Sequence, residues 1–111
     1  MPRTPKHKAL EKHTERRLGE RYGLKYTQLL HDTLLYKLRN NQAQLVARQT
    51  LRVAIFDATY EVREADIYDA AKAKPGEVRI RFVYDKIRKT LITVLLPDMN
   101  PNSIKEEMEL S

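Results

Sequence analysis

The sequence predicts an α+β domain in which N-terminal helices pack on one face of a small antiparallel sheet that ends in a β-hairpin. Three observations carry that expectation. Leu29, Leu30, Leu34 and Leu38 recur at the three- and four-residue steps of one helix face. From Glu77 to Asp85 the period changes to two, with Val78, Ile80, Phe82 and Tyr84 on one side and Arg79, Arg81 and Val83 on the other. Thr90 to Leu96 is then apolar on both faces, as a covered strand is, and Asp85 to Lys89 forms a polar connection of hairpin length. At 111 residues the chain is large enough for one core and too small for two.

Taken in chain order, residues 1–7 read as a flexible basic arm, because Pro2 and Pro5 alternate with charges. Residues 8–97 form the domain. Its first helix runs from Lys8 to Tyr22 on a thin stripe of Leu10, Thr14, Leu18 and Tyr22, and Gly23 stands where a left-handed residue ends a helix. The second helix spans Thr27 to Arg39. Asn40 and Asn41 then favour a turn, and Gln42 to Arg48 reads as a further helical turn or two. Thr50 to Asp57 is β-rich, and Thr59 to Arg63 either continues that strand or pairs with it. Glu64 to Lys74 has the alanine content of a short helix, stopped by Pro75 and Gly76, or forms a long loop. Residues 98–111 form an acidic tail in which Ile104, Met108 and Leu110 offer one docking turn.

Charge is unevenly placed. Residues 1–39 carry ten Lys and Arg against four acidic residues, whereas residues 40–111 carry eleven of each, so the whole net charge of +6 lies in the N-terminal third. A localised positive field attracts polyanions, which makes RNA or a ribosome the expected partner and points to Arg3, Lys6, Lys8, Lys12, Arg39 and Arg52 as nucleic-acid-binding residues. The absence of cysteine rules out disulfides and thiolate metal sites. With three scattered histidines and three glycines, no metal, cofactor or phosphate-cradling loop is expected. No apolar run is long enough to span a membrane. The basic N-terminus lacks a following apolar stretch, so a cytoplasmic setting is expected.

Metal-independent RNA cleavage needs a base, an acid and cations for the phosphorane charge. His31, Arg79, Arg81 and Thr93 are the candidates for such work. Each also has a plain structural reading: a half-buried imidazole at the border of the leucine stripe, solvated strand arginines, and a β-branched filler in the last strand. If Arg52, Arg79 and Arg81 share the sheet face left open by the helices, they form a basic surface of the kind single strands prefer.

The helix bearing His31 and Arg39, the strand Arg52 to Asp57, and the closing hairpin Val83 to Pro97 with Ile92-Thr93-Val94 near its end resemble the RelE, barnase and colicin-like superfamily of small bacterial and phage RNases. The resemblance implies helices backing an antiparallel sheet, with His31 and strand arginines near the RNA and Thr93 lining the site. It implies an RNase toxin or effector acting on RNA or ribosomes. The long charged segment Glu61 to Lys74 and the lack of a second histidine in the sheet depart from it. Two other functions fit the residues. One is an effector that binds and inhibits a host enzyme, for which an exposed apolar patch around Ile104, Met108 and Leu110 or the first helix would be the sign. The other is a helix-turn-helix across Arg17 to Arg39, although Leu29, Leu30, Leu34, Leu35 and Leu38 leave little polar face to read bases.

Overall fold

A computed structural model of the protein describes residues 5–97, with side chains from residue 12 onward. Helix α1 (Pro5–Tyr22) begins three residues before the expected start, so residues 5–7 belong to the helix and not to an arm. Proline suits that first position because a missing N–H costs nothing in the opening turn. Residues 1–4 and the acidic tail, 98–111, lie outside the described residues. Gly23, at φ +67°, ends the helix as expected, and its N–H donates to Gly19 O at 3.1 Å.

Helix α2 (Gln28–Arg39) follows the leucine period. Thr27 caps it, its Oγ1 accepting from Leu30 N at 3.1 Å. Leu30, Leu34 and Leu35 are buried, and each full burial contributes about 1.5–3 kcal/mol. Leu29 remains about half exposed and leaves the stripe on its outer side. Asn41 adopts a left-handed conformation, φ 58°, and turns the chain away from the helix.

Beyond that turn the chain forms a four-stranded antiparallel meander in the order β1-β2-β3-β4: β1 (Gln44–Arg48), β2 (Val53–Val62), β3 (Gly76–Asp85) and β4 (Thr90–Leu95). Strand β1 corrects the helical expectation for Gln42 to Arg48. Asn41 breaks the helix, and the segment's backbone then pairs with β2, Gln44 opposite Asp57 and Arg48 opposite Ala54, with a bulge between Leu45 and Ala47. Strand β2 is continuous over ten residues and pairs along its whole length with β3. The segment after it is a single 3₁₀ turn, Glu64–Asp66, followed by a loop.

Both faces of the sheet are buried. One packs Ala58, Tyr60, Ile80, Phe82, Leu91 and Val94 against Leu18 and Tyr22 of α1 and Leu30 and Leu34 of α2. On the opposite face, Val53, Ile55, Val83, Ile92 and Leu95 form a second cluster. Helix α1 also closes the outer edge of the sheet. Thr14 Oγ1 donates to Ile92 O at 3.0 Å, and Arg21 Nη1 to Val94 O at 2.6 Å, so carbonyls of the terminal strand find partners in a helix. No described helix is long and apolar enough to cross a membrane.

Candidate nucleic-acid interface

Three arginines in or beside the sheet are committed to carboxylates. Arg81 grips Asp57 with Nε to Oδ1 at 2.8 Å and Nη2 to Oδ2 at 3.0 Å, while its Nη1 donates to Pro97 O at 2.7 Å. Arg52 Nε donates to both oxygens of Asp85, at 2.9 and 3.0 Å. Arg63 forms the same fork on Asp66, at 3.1 and 2.9 Å. All three carboxylates are buried, and removing an arginine from any of them would leave a buried charge uncompensated. The hydrogen bond from Arg63 is the largest influence holding the Asp66 carboxyl below its ordinary range. At Asp85 burial pulls upward most strongly, but the hydrogen bonds from Arg52 and from the N–H groups of Arg88 and Ile87 together hold its carboxyl low.

The sheet face that carries Arg79 and Arg81 is buried in part. The alternation that puts Arg79 and Arg81 on the face away from the helices also puts Val53, Ile55 and Val83 there, and those residues are buried. Thr93 lies among them at 0% exposure, its Oγ1 without a hydrogen-bond partner. Arg79 is exposed on β3. His31 stands on α2, on the other side of the sheet, where its ring lies 6.0 Å from that of Tyr26 and its Nδ1 is 3.2 Å from Asp32 Oδ1. Among the described residues, neither Arg39 nor any strand arginine bonds to it. The sheet therefore stands between His31 and the set Arg79, Arg81 and Thr93, and these four residues are not brought to one place.

Cations remain open elsewhere. The outer face of α1, the connection at residues 24–27 and the loop after the 3₁₀ turn enclose a groove of about 940 Å³, at the upper end of the roughly 300–1,000 Å³ typical of ligand clefts. Lys12, Arg16, Lys25 and Lys72 line it together with Tyr26 and Tyr68. Glu15, Glu20 and Asp69 also face it, but two of these are engaged. Glu20 accepts from Arg17 Nη1 at 3.0 Å and lies 3.9 Å from Arg16 Nε, and Asp69 Oδ1 accepts from Ala71 N at 2.9 Å. Lys72 is held over the end of α1 by its hydrogen bond to Glu20 O. Lys12 and Lys25 are exposed and have no ion-pair partner among the described residues.

One glycine seats this loop. A Cβ on Gly23 would stand 2.7 Å from Asp69 O and 2.8 Å from Lys72 Cβ, so the loop backbone approaches the helix end only because no side chain is there. Gly23 O accepts from the N–H groups of both Tyr68 and Asp69, and Lys25 N donates to Asp66 O at 2.8 Å. One turn back along α1, the Tyr68 ring passes beside Gly19, where an added Cβ would meet its Cδ1 and Cε1 at 3.5 and 3.6 Å, an ordinary van der Waals contact.

Of the residues expected to bind nucleic acid, Lys12 lies in this groove, Arg39 is exposed at the end of α2, and Arg52 is held by Asp85. Arg3 and the side chains of Lys6 and Lys8 fall outside the described residues. Lys25, Tyr26, Tyr68 and Lys72 were not anticipated. An aromatic residue inside the charged segment Glu61 to Lys74 was the one available signal. Among the described residues no group of three or more His, Asp or Glu is placed to hold a metal ion. Comparisons of the chain with protein-family models, with curated proteins and with solved structures find no match, so any functional reading rests on geometry alone.

Proposed function

We propose that the protein binds RNA, free or ribosomal, through the α1 surface and the groove beside it. The observation that carries this reading is the division of the cations. Arg52, Arg63 and Arg81 neutralise buried carboxylates, whereas Lys12 and Lys25, without an ion-pair partner among the described residues, face solvent around a groove that also holds exposed aromatic surface. The excess charge belongs to the N-terminal third of the sequence, which includes Lys12 and Lys25, and phosphate neutralisation by such groups releases counterions. The reading is of a binder, because the groups that metal-free cleavage would need do not converge.

The test is retention of a labelled RNA oligonucleotide across a salt series. Converting Lys12 and Lys25 to glutamate together should weaken retention and flatten the dependence of log affinity on log salt by about 1.4, at roughly 0.7 per phosphate contact on a single strand. An unchanged slope refutes the assignment of this surface. Incubating total RNA with the protein in EDTA separates binding from cleavage, and intact but retained RNA is the expected result.

A second reading, a protein partner, rests on Leu45, Val46 and Leu51, which are exposed along β1 and the turn after it, Leu51 almost completely. It gains if wild-type protein shows no salt-dependent RNA retention.

A further inference from the structure

Resting on the RNA-binding reading, we infer that Tyr68 is a base-stacking platform that makes the groove selective for single-stranded over double-stranded RNA. Tyr68 is 72% exposed, an unusual position for so large a ring in a well-anchored segment. It is not carried on a loose loop. Its own N–H is bonded to Gly23 O at 2.7 Å and the next N–H to the same oxygen at 3.0 Å. Tyr68 lines the groove together with Lys12, Arg16, Lys25 and Lys72.

A ring carried on an anchored backbone loses less freedom when a base settles on it than one on a free loop. Base–aromatic stacking is worth about 1–3 kcal/mol and tolerates any base, since every base has a π-face. A duplex hides those faces in its own stack, so the platform can serve only unpaired nucleotides. The cations around the ring supply the phosphate contacts that either form of RNA can use. Charge therefore sets the affinity for both forms, and the ring sets the difference between them.

The experiment compares wild-type protein, Tyr68→Ala and Tyr68→Phe by fluorescence anisotropy with a labelled twelve-nucleotide single strand, on the order of one OB-type site, and with its duplex. Thermal melts of the same preparations serve as the folding control. Tyr68→Ala should weaken single-strand binding by roughly tenfold or more, leave duplex binding and both salt slopes unchanged, and melt as wild type. Tyr68→Phe should bind the single strand like wild type. Equal losses for both forms, or no loss for either, overturns the stacking role while the RNA-binding reading stands. If Tyr68→Ala melts early, Tyr68→Phe decides: a loss of single-strand preference there shows that the hydroxyl and not the ring face matters, which also overturns the proposal. Wild-type protein that fails to bind either form in a salt-dependent way overturns both readings.

Discussion

Tyr22 shows how much a single hydroxyl does in this fold. Its OH donates to Leu95 O and accepts from Arg81 N at 3.0 Å, bridging the last paired position of β3 and β4 where a ladder bond would otherwise stand. Burial is the main reason its phenol is pushed up to about 12, with the Asp57 charge adding to it against the Arg81 N–H. A phenol is neutral when protonated, so a folded value above the ordinary 10.0 means that the folded state holds the proton more tightly. The resulting stability is complete below pH 10 and is lost as pH rises through about 12. Tyr22→Phe should leave a buried carbonyl and a buried N–H unpartnered and cost about 1–3 kcal/mol at neutral pH, measured by denaturant unfolding. Phenolate absorbance should show the late-titrating tyrosine missing from the variant. A variant as stable as wild type, with an unchanged alkaline titration, would show that the bridge contributes nothing.

Among the elements, those with a strong internal period were legible. Helix α2 and the β3–β4 hairpin appear where the leucine steps and the alternation place them, within a residue or so at each end. Strand β1 was not legible because Gln44–Arg48 is short and has no period of its own, and it becomes a strand only by pairing with β2. The same distinction divides the candidate site. Lys12 could be read from the charge of the N-terminal third, but Tyr68 and Lys72 reach the groove through contacts with Gly23, some 45 to 50 residues away in sequence, and no local pattern encodes such a seat. Parity along β3 correctly paired Arg79 with Arg81, yet it could not show that Asp57 lies opposite Arg81 and claims its guanidinium. Gly23 and Gly76 offer a test of the seat. Both have positive φ, 67° and 120°, but an added Cβ clashes only at Gly23 and meets nothing within 4 Å at Gly76. Gly76→Ala should carry the backbone penalty alone, about 1–2 kcal/mol, and leave RNA binding intact. Gly23→Ala should cost more and weaken single-strand binding as well, because the loop carrying Tyr68 must move. Equal melting temperatures for the two variants would mean that the close approach does not hold the loop.

Over the whole molecule, charge is divided between arginines paired with buried carboxylates and an excess in the N-terminal third. The sheet uses arginine forks to hold the buried carboxylates Asp57, Asp66 and Asp85, and the register of β2 on β3 is part of that arrangement, since a one-residue slip would separate Asp57 from Arg81. The N-terminal third carries the excess, and the molecule has a net charge of +6 at neutral pH. This division predicts a steep acid limit. Asp66 and Asp85 are held below their ordinary value of 3.8, so the unfolded chain takes up protons first as pH falls. The stability they contribute is full above that value and is lost as pH drops through their lower folded values. Protonation of the other carboxylates raises the positive charge over the same range, and self-repulsion adds to the loss. Thermal melts across the acid range should be flat down to about pH 4 and then fall sharply. Added salt should ease the part of the fall that comes from repulsion. Asp85→Asn should melt lower than wild type at neutral pH, because Arg52 and the turn N–H groups of Ile87 and Arg88 lose a carboxylate. The gap between the two proteins should close as the wild-type carboxyl protonates, and a gap of constant size at every pH would place the value of Asp85 in its shape instead of its charge.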